Sequence, residues 1–235
     1  MNKRIILKIS GEALANESGS GLNPAYVVEV AKEIKALYDK GAQIGIVNGA
    51  GNMWRGRDAK EYGMPRVSAD YMGMLGTIFN GLALKSALEN LGLEVRILSA
   101  LSAPTVAENH SVKLAKEYLS QNKIVIFAGG TGSPFFSTDT TAALRAAEVE
   151  ADTILMAKNG VDGVYDSDPR KNKDAKRYTT LTFDEIVNQH LEVMDLTAAI
   201  LCRENNIKLL VFDMNKAGNI ARAFEDTSIG TIIEK

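Results

Sequence analysis

With 235 residues and 46% hydrophobic content, the chain is long enough for one large domain or two small ones around a substantial core. Its 27 Lys and Arg nearly balance 29 Asp and Glu, which argues against a long nucleic-acid track or an anionic membrane as its main partner. A single cysteine, Cys202, excludes an intrachain disulfide and a cysteine metal cluster. No stretch approaches the ~20 apolar residues of a membrane span. The start MNKRIILKIS lacks the apolar region and small-residue cleavage site of a signal peptide, so a cytoplasmic protein is expected.

Taken in order, apolar strands alternate with amphipathic helices. Residues 4–9 are a β-branched run that ends in Ser10, Gly11 and Glu12, a strand followed by a tight polar turn. Asn23 and Pro24 supply an N-cap and a first-turn proline. Val27, Ala31, Ile34, Leu37 and Tyr38 then recur at helical spacing up to Gly41. Residues 43–47 form the next strand and run into the glycine loop NGAGNMWRGR. A long apolar helix follows, with Ser68 as its expected cap and Gly92 after it.

The second half repeats the pattern. Strands are expected at 94–98, 124–127, 153–157, 208–212 and 231–233, with helices at 111–119, 140–149, 196–204 and 217–224. A capping box beginning at Thr182 opens one more helix. Such alternation predicts an α/β fold, a three-layer αβα sandwich with a mostly parallel central sheet. In that architecture ligands collect beyond the carboxyl ends of the strands. The loops at 8–12, 48–57, 128–139 and 157–169 all fall there.

AGGTGSPFFSTD at 128–139 is the most informative of the four. It leads from a buried strand through glycines to a helix N-terminus, an arrangement that binds anions through free backbone N–H groups and the helix dipole. It also carries four hydroxyls, two aromatics and Asp139. An equal reading is a plain strand-to-helix turn, with glycines at positive φ and Thr138 or Asp139 as the cap. Phe135 and Phe136 fit either base stacking or the core.

Ordinary phosphate motifs do not match. From Gly51, GNMWRGR has P-loop glycine spacing, but Arg57 and Asp58 replace the required Lys and Ser or Thr. No Rossmann fingerprint or protein-kinase signature is present. His110 and His190 lie far apart and do not suggest a metal site or a triad.

The combination is more specific than any part. KISGE at 8–12, GNMWRG at 51–56, ADYMGML at 69–75, TGSPFFSTD at 131–139, VDGVYDSDP at 161–169 and VMDLTA at 193–198 together resemble the bacterial uridylate (UMP) kinases of the amino acid kinase superfamily. The resemblance runs in register over essentially the whole chain. It implies one amino acid kinase domain over 1–235, with an acceptor-side lobe near 1–150 and an ATP-side lobe near 151–235. It further implies phosphoryl transfer from Mg²⁺-ATP to UMP, the Mg²⁺ arriving with ATP and no metal held by the protein alone.

The same resemblance assigns roles. Lys8, Arg55 and Asp139 would be catalytic. Lys8, Ser10, Gly11, Gly51, Arg55, Asn159, Tyr165 and Asp168 would bind ATP. Ala50, Asp70, Thr131, Gly132, Ser133, Pro134, Phe135, Phe136, Ser137 and Thr138 would bind UMP. These residue types suit a reaction that depends on positioning and charge stabilisation, with guanidinium, ammonium and backbone N–H groups around phosphates. Bland alternatives exist for several of them, such as a first-turn helix acid at Asp70 or a turn at Asp168 and Pro169.

Two departures from the family pattern stand out. The glycine turn reads Gly49, Ala50, Gly51 rather than three glycines, so Ala50 must tolerate the backbone there. The resemblance also implies a homohexamer activated by GTP and inhibited by UTP. Lys85 and Arg96 match basic effector positions, but Glu89 stands where some members have histidine.

Overall fold

β-Branched and apolar runs that are buried on both faces can only be central strands. In β1 (Arg4–Ile9), Ile5, Ile6, Leu7 and Ile9 have no exposed surface. The computed structural model describes residues 3–54, 59, 62–167, 169, 171–189, 191 and 193–235. Its strands are β1, β2 (Gln43–Asn48), β3 (Val95–Ser99), β4 (Glu108–Asn109), β5 (Ile124–Ala128), β6 (Thr153–Lys158), β7 (Thr180–Thr182), β8 (Lys208–Asp213) and β9 (Gly230–Glu234). They form a single sheet in the order β4-β3-β5-β2-β1-β6-β8-β9-β7. The pairs from β4 to β8 are parallel; β9 runs antiparallel to β8, and β7 follows β9.

Side chains alternate across this sheet and define two cores. Ile5, Leu7 and Ile9 pack with α1 (Pro24–Asp39), α2 (Arg66–Glu89) and α7 (Asn219–Arg222). Ile6, Val47, Phe127 and Met156 pack on the opposite face with α3 (Val112–Ser120), α4 (Thr138–Val149), α5 (Phe183–Asn188) and α6 (Leu196–Glu204). The expected three-layer αβα sandwich is therefore the observed fold. The period of two also places Lys8 on the face of Ile6, toward α4.

Local signals set most helix ends. The Asn23 side chain accepts from Ala25 N at 3.0 Å, and Thr182 with Glu185 completes the expected capping box. Ser68 does not cap α2. Pro65, extended at ψ 136°, turns the chain into the helix at Arg66, which puts Ser68 inside the first turn. Neither Thr138 nor Asp139 caps α4; Ser137 does so, accepting from Thr140 N at 3.0 Å. The helix expected at 217–224 shrinks to α7 because Gly218 stands at φ 82°. The strands β4 and β7 have two and three residues, too short to show a period in the sequence.

Candidate active site

The four central strands in space are β5, β2, β1 and β6, all parallel. Their four carboxyl-end loops, which the sequence singles out, consequently open on one edge. Above it lies α4, whose Ala142, Ala143 and Ala146 are fully buried and let the helix pack closely on the sheet. That approach brings Asp139, in the first turn of α4, to Lys8, with Nζ 2.9 Å from Oδ1. The two side chains are only 11% and 19% exposed, so solvent screens the pair weakly.

A second ammonium, Lys158, closes β6 beside this pair and donates to Val193 O at 2.9 Å. Burial holds it below the usual lysine range, with Lys8 adding to the effect and Asp139 opposing it. Two residues beyond Val193, Asp195 accepts from the Ser137 hydroxyl and, at 2.9 Å, from Thr140 Oγ1 while capping α6. The VMDLTA stretch thus clamps the start of α4. Cys202, buried beneath it with its thiol pushed up to about 12, is not ionised at neutral pH.

The glycine turn after β2 is held by buried amides. Asn80 donates to Gly49 O at 2.9 Å and exchanges hydrogen bonds with Asn52 at 2.7 and 3.1 Å. Asn48 donates to Thr77 O at 3.0 Å. None of Gly49, Ala50 and Gly51 has positive φ, so Ala50 is accommodated without backbone strain. Its methyl group packs on Gly76 of α2, where an added Cβ would lie 2.8 Å from it. On the next turn, Gly129, at φ 73°, donates its N–H to Thr77 Oγ1 at 2.8 Å.

Between these turns, the N-terminal half of α2 and the start of α4 lies a cleft of about 750 Å³. Ala50, Asp70, Thr131, Phe136, Ser137 and Thr138, all assigned to UMP by resemblance, line it, and so does Gly51, assigned to ATP. Gly132, Ser133, Pro134 and Phe135 are not among its walls. They belong to a tight loop in which Thr131 Oγ1 donates to Ser133 O at 3.1 Å and Gly132 N to Gly129 O at 3.0 Å. Phe135 and Phe136 are 66% and 51% exposed, which removes the core reading for both.

Asp70 is more than a first-turn acid. Its oxygens accept from Arg66 Nε at 2.8 and 2.9 Å and from Phe135 N at 2.8 Å. Phe135 sits at φ 73°, a strained conformation for an aromatic residue, with the Arg66 guanidinium 5.6 Å over its ring. Behind this loop Arg145 is buried and donates to Gly130 O at 3.1 Å. Burial works against the ionised Glu148 carboxylate, but hydrogen bonds from His110 and Arg145 outweigh it and hold the carboxyl below its usual range. His110 is therefore part of a structural polar cluster.

A second cleft of about 630 Å³ is walled by Glu12, Tyr26, Asn159, Met214 and Asn215, among others. Asn159 is fixed by Asn215 at 2.7 Å. Ser10 and Gly11 open the 3-10 turn Gly11–Leu14 directly after β1. Tyr165 donates to Asp162 at 2.6 Å and does not line the cleft. Arg55, Asp168 and His190 lie outside the described residues.

The arrangement sets a lysine, a carboxylate and a helix N-terminus within a few residues of two clefts, since Thr138 beside Asp139 lines the first and Glu12, four residues after Lys8, lines the second. Such a combination is suited to holding anionic groups. A model of the amino acid kinase family matches residues 3–213. The chain belongs to the amino acid kinase family. This amino acid kinase is 53% identical over 232 residues to the uridylate kinase of Limosilactobacillus reuteri, covering 99% of the chain and 97% of that relative. Among solved structures, the UMP kinase of Ureaplasma parvum superposes with a TM-score of 0.96 at 44% identity over 100% of both chains. The uridylate kinase of Archaeoglobus fulgidus superposes with a TM-score of 0.73 at 30% identity, covering 97% and 99%.

Thr77, Asn80, Asn48, Asn52 and Asp195 have no individual role in the sequence reading, although Asn48 and Asn52 lie in the 48–57 loop and Asp195 in VMDLTA. A signal for two of them was present: in MGMLGTIFNGLAL, Thr77 and Asn80 are polar residues within an otherwise apolar run, and both are buried. Buried polar groups need partners, and here the partners are the turns.

Proposed function

We propose that this chain transfers the γ-phosphoryl group of Mg²⁺-ATP to UMP, giving UDP and ADP, in the cytoplasm. The observation that carries the reading is the Lys8–Asp139 pair, whose chain neighbours Thr138 and Glu12 line an acceptor cleft and an ATP-side cleft, in a chain whose relatives are named uridylate kinases. Residues near 1–150 supply the acceptor side, and the ATP side draws on the lobe near 151–235 through Asn159, Met214 and Asn215 together with Glu12 and Tyr26 of the first lobe. UMP lies with its ribose at Asp70, its phosphate near the N-terminus of α4 and its base against the loop from Thr131 to Thr138. ATP lies along Ser10, Gly11, Gly51 and Asn159; Tyr165, held by Asp162 outside the cleft, would have to turn to reach it, and a contact from Asp168 is assigned by resemblance alone.

Direct in-line transfer needs no side-chain nucleophile, because the acceptor phosphate oxygen already is one. Lys8 and Arg55 offset charge on the moving group, and Asp139 orients Lys8. No three His, Cys, Asp or Glu side chains converge among the described residues. Asp139, beside Lys8 at the start of α4, is the carboxylate that would hold a Mg²⁺ carried on ATP phosphates. When bound, that ion neutralises phosphate charge. No helix among the described residues is long and apolar enough to cross a membrane.

ADP release is the direct test, with UMP, CMP, dUMP and acetylglutamate as separate acceptors, with and without GTP and UTP. Turnover with UMP alone supports the reading; turnover only with acetylglutamate replaces it by an amino-acid-directed kinase. Asp70→Asn should raise the UMP KM about 10- to 100-fold, the worth of hydrogen bonds to a charged acceptor, with little change in the ATP KM. An unchanged UMP KM would remove Asp70 from the ribose site.

The homohexamer belongs to the same proposal. Val67, Tyr71, Leu75 and Phe79 recur every four residues along α2, and each is at least 39% exposed. An apolar stripe of this kind marks an interaction surface. Light scattering should show an oligomer for the wild type and a smaller species for Leu75→Glu combined with Phe79→Glu; a monomeric wild type would refute it. Activation by GTP and inhibition by UTP are carried as part of this reading. Lys85 is paired with Glu89, and Arg96 stacks 5.5 Å over Tyr118, so effectors would have to compete for both.

A further inference from the structure

Resting on the UMP kinase reading, we infer that Thr77 and Asn80 are positioning residues: one turn of α2 holds both glycine turns in register for phosphoryl transfer. The Thr77 hydroxyl accepts from Gly129 N at 2.8 Å and donates to Met74 O at 2.6 Å. The hydroxyl both donates and accepts, and the donated bond fixes its orientation. Three residues on, on the same helix face, Asn80 donates to Gly49 O at 2.9 Å and pairs with Asn52.

These contacts reach the two turns that border the acceptor cleft. Gly129 begins the loop that carries Thr131 to Thr138, and Gly49 begins the turn that carries Ala50 and Gly51. Thr77 and Asn80 are 7% and 0% exposed, and no water is needed to complete either contact. The helix also packs closely on both turns: a Cβ at Gly76 would lie 2.8 Å from that of Ala50, and one at Gly130 would lie 3.3 Å from the Met74 side chain at Cγ. A rigid helix that grips a carbonyl of one turn and an N–H of the other fixes their separation. Transfer rates depend steeply on that separation, since a shift of about 1 Å can cost about 100-fold.

Thr77→Val keeps the shape and removes the acceptor, leaving Gly129 N–H buried without a partner. The UMP KM should rise about tenfold, with the ATP KM within about twofold and Thr77→Ser restoring the wild-type value. Asn80→Ala should instead lower kcat, about tenfold, because the turn it holds faces both nucleotides. Amide exchange at Gly129, which needs no catalysis, should quicken in Thr77→Val and not in Thr77→Ser. Wild-type turnover of UMP with a Thr77→Val variant whose KM and Gly129 exchange are unchanged overturns the positioning role alone. A lowered melting temperature with unaltered kinetics does the same. A wild-type chain that leaves UMP unphosphorylated overturns the underlying reading, and this role with it.

Discussion

Lys8→Ala is expected to lower kcat about 10²- to 10³-fold while changing the UMP KM by less than about threefold. The asymmetry follows from location. Lys8 stands near the end of β1, paired with Asp139, whereas under the proposed function the ribose and base contacts are assigned to Asp70 and the loop that begins at Thr131, which line the first cleft. A cation there matters most when charge is moving between phosphates and least when UMP is merely bound. The substitution also removes the partner of Asp139, which is 81% buried by side-chain area. The dipole at the start of α4 still favours a carboxylate there, so a folded but less stable variant is expected. Steady-state kinetics with UMP and ATP varied separately, beside a thermal melt, read both effects. Wild-type turnover in the variant would remove Lys8 from the mechanism.

The sequence made the strands and the edge they share legible for a simple reason. Burial on both faces leaves continuous apolar runs such as those of β1 and β5, and chemistry has to sit where such runs end. The same logic located Lys8, Asp139 and the loop from Thr131 to Thr138. Side chains whose importance lies in a distant partner were not legible. Nothing local tells that Asn80 reaches Gly49, 31 residues away, or that Asp195 reaches Ser137, 58 residues away. Competition among adjacent caps was also hidden: Ser137, Thr138 and Asp139 can each cap a helix, and the choice of Ser137 follows from Asp139 being drawn to Lys8. The exposure of Phe135 and Phe136 could not be read from type, because aromatics are usually buried, whereas Phe136 lines the first cleft and Phe135 lies in the tight loop beside it.

Gly11 illustrates a residue whose presence is legible and whose reason is not. In KISGE it reads as the glycine of a tight turn, yet its φ is not in the left-handed region, and a side chain would suit its backbone conformation. Space is what it lacks. A Cβ at this position would lie 2.7 Å from Gly49 O, Gly51 N and Asn52 Oδ1 at once, two of them backbone atoms of the turn between the clefts. The strands cannot separate to relieve the clash. β1 and β2 are registered up to Ile9 and Asn48, and Gly49 N donates to Ile9 O at 2.9 Å. The displacement must therefore fall on the turn itself and on its hydrogen bond from Asn80. Gly11→Ala is accordingly expected to cut kcat/KM about 100-fold through misplacement of reacting groups, and to cost about 1–3 kcal/mol of stability through overpacking. No charge or hydrogen-bonding group is lost, so the change separates geometry from electrostatics. Circular dichroism and a thermal melt establish that the variant folds, and UMP-dependent ADP release measures the loss. Full activity in a folded Gly11→Ala variant would show that the close approach of the two turns is not what aligns the phosphates.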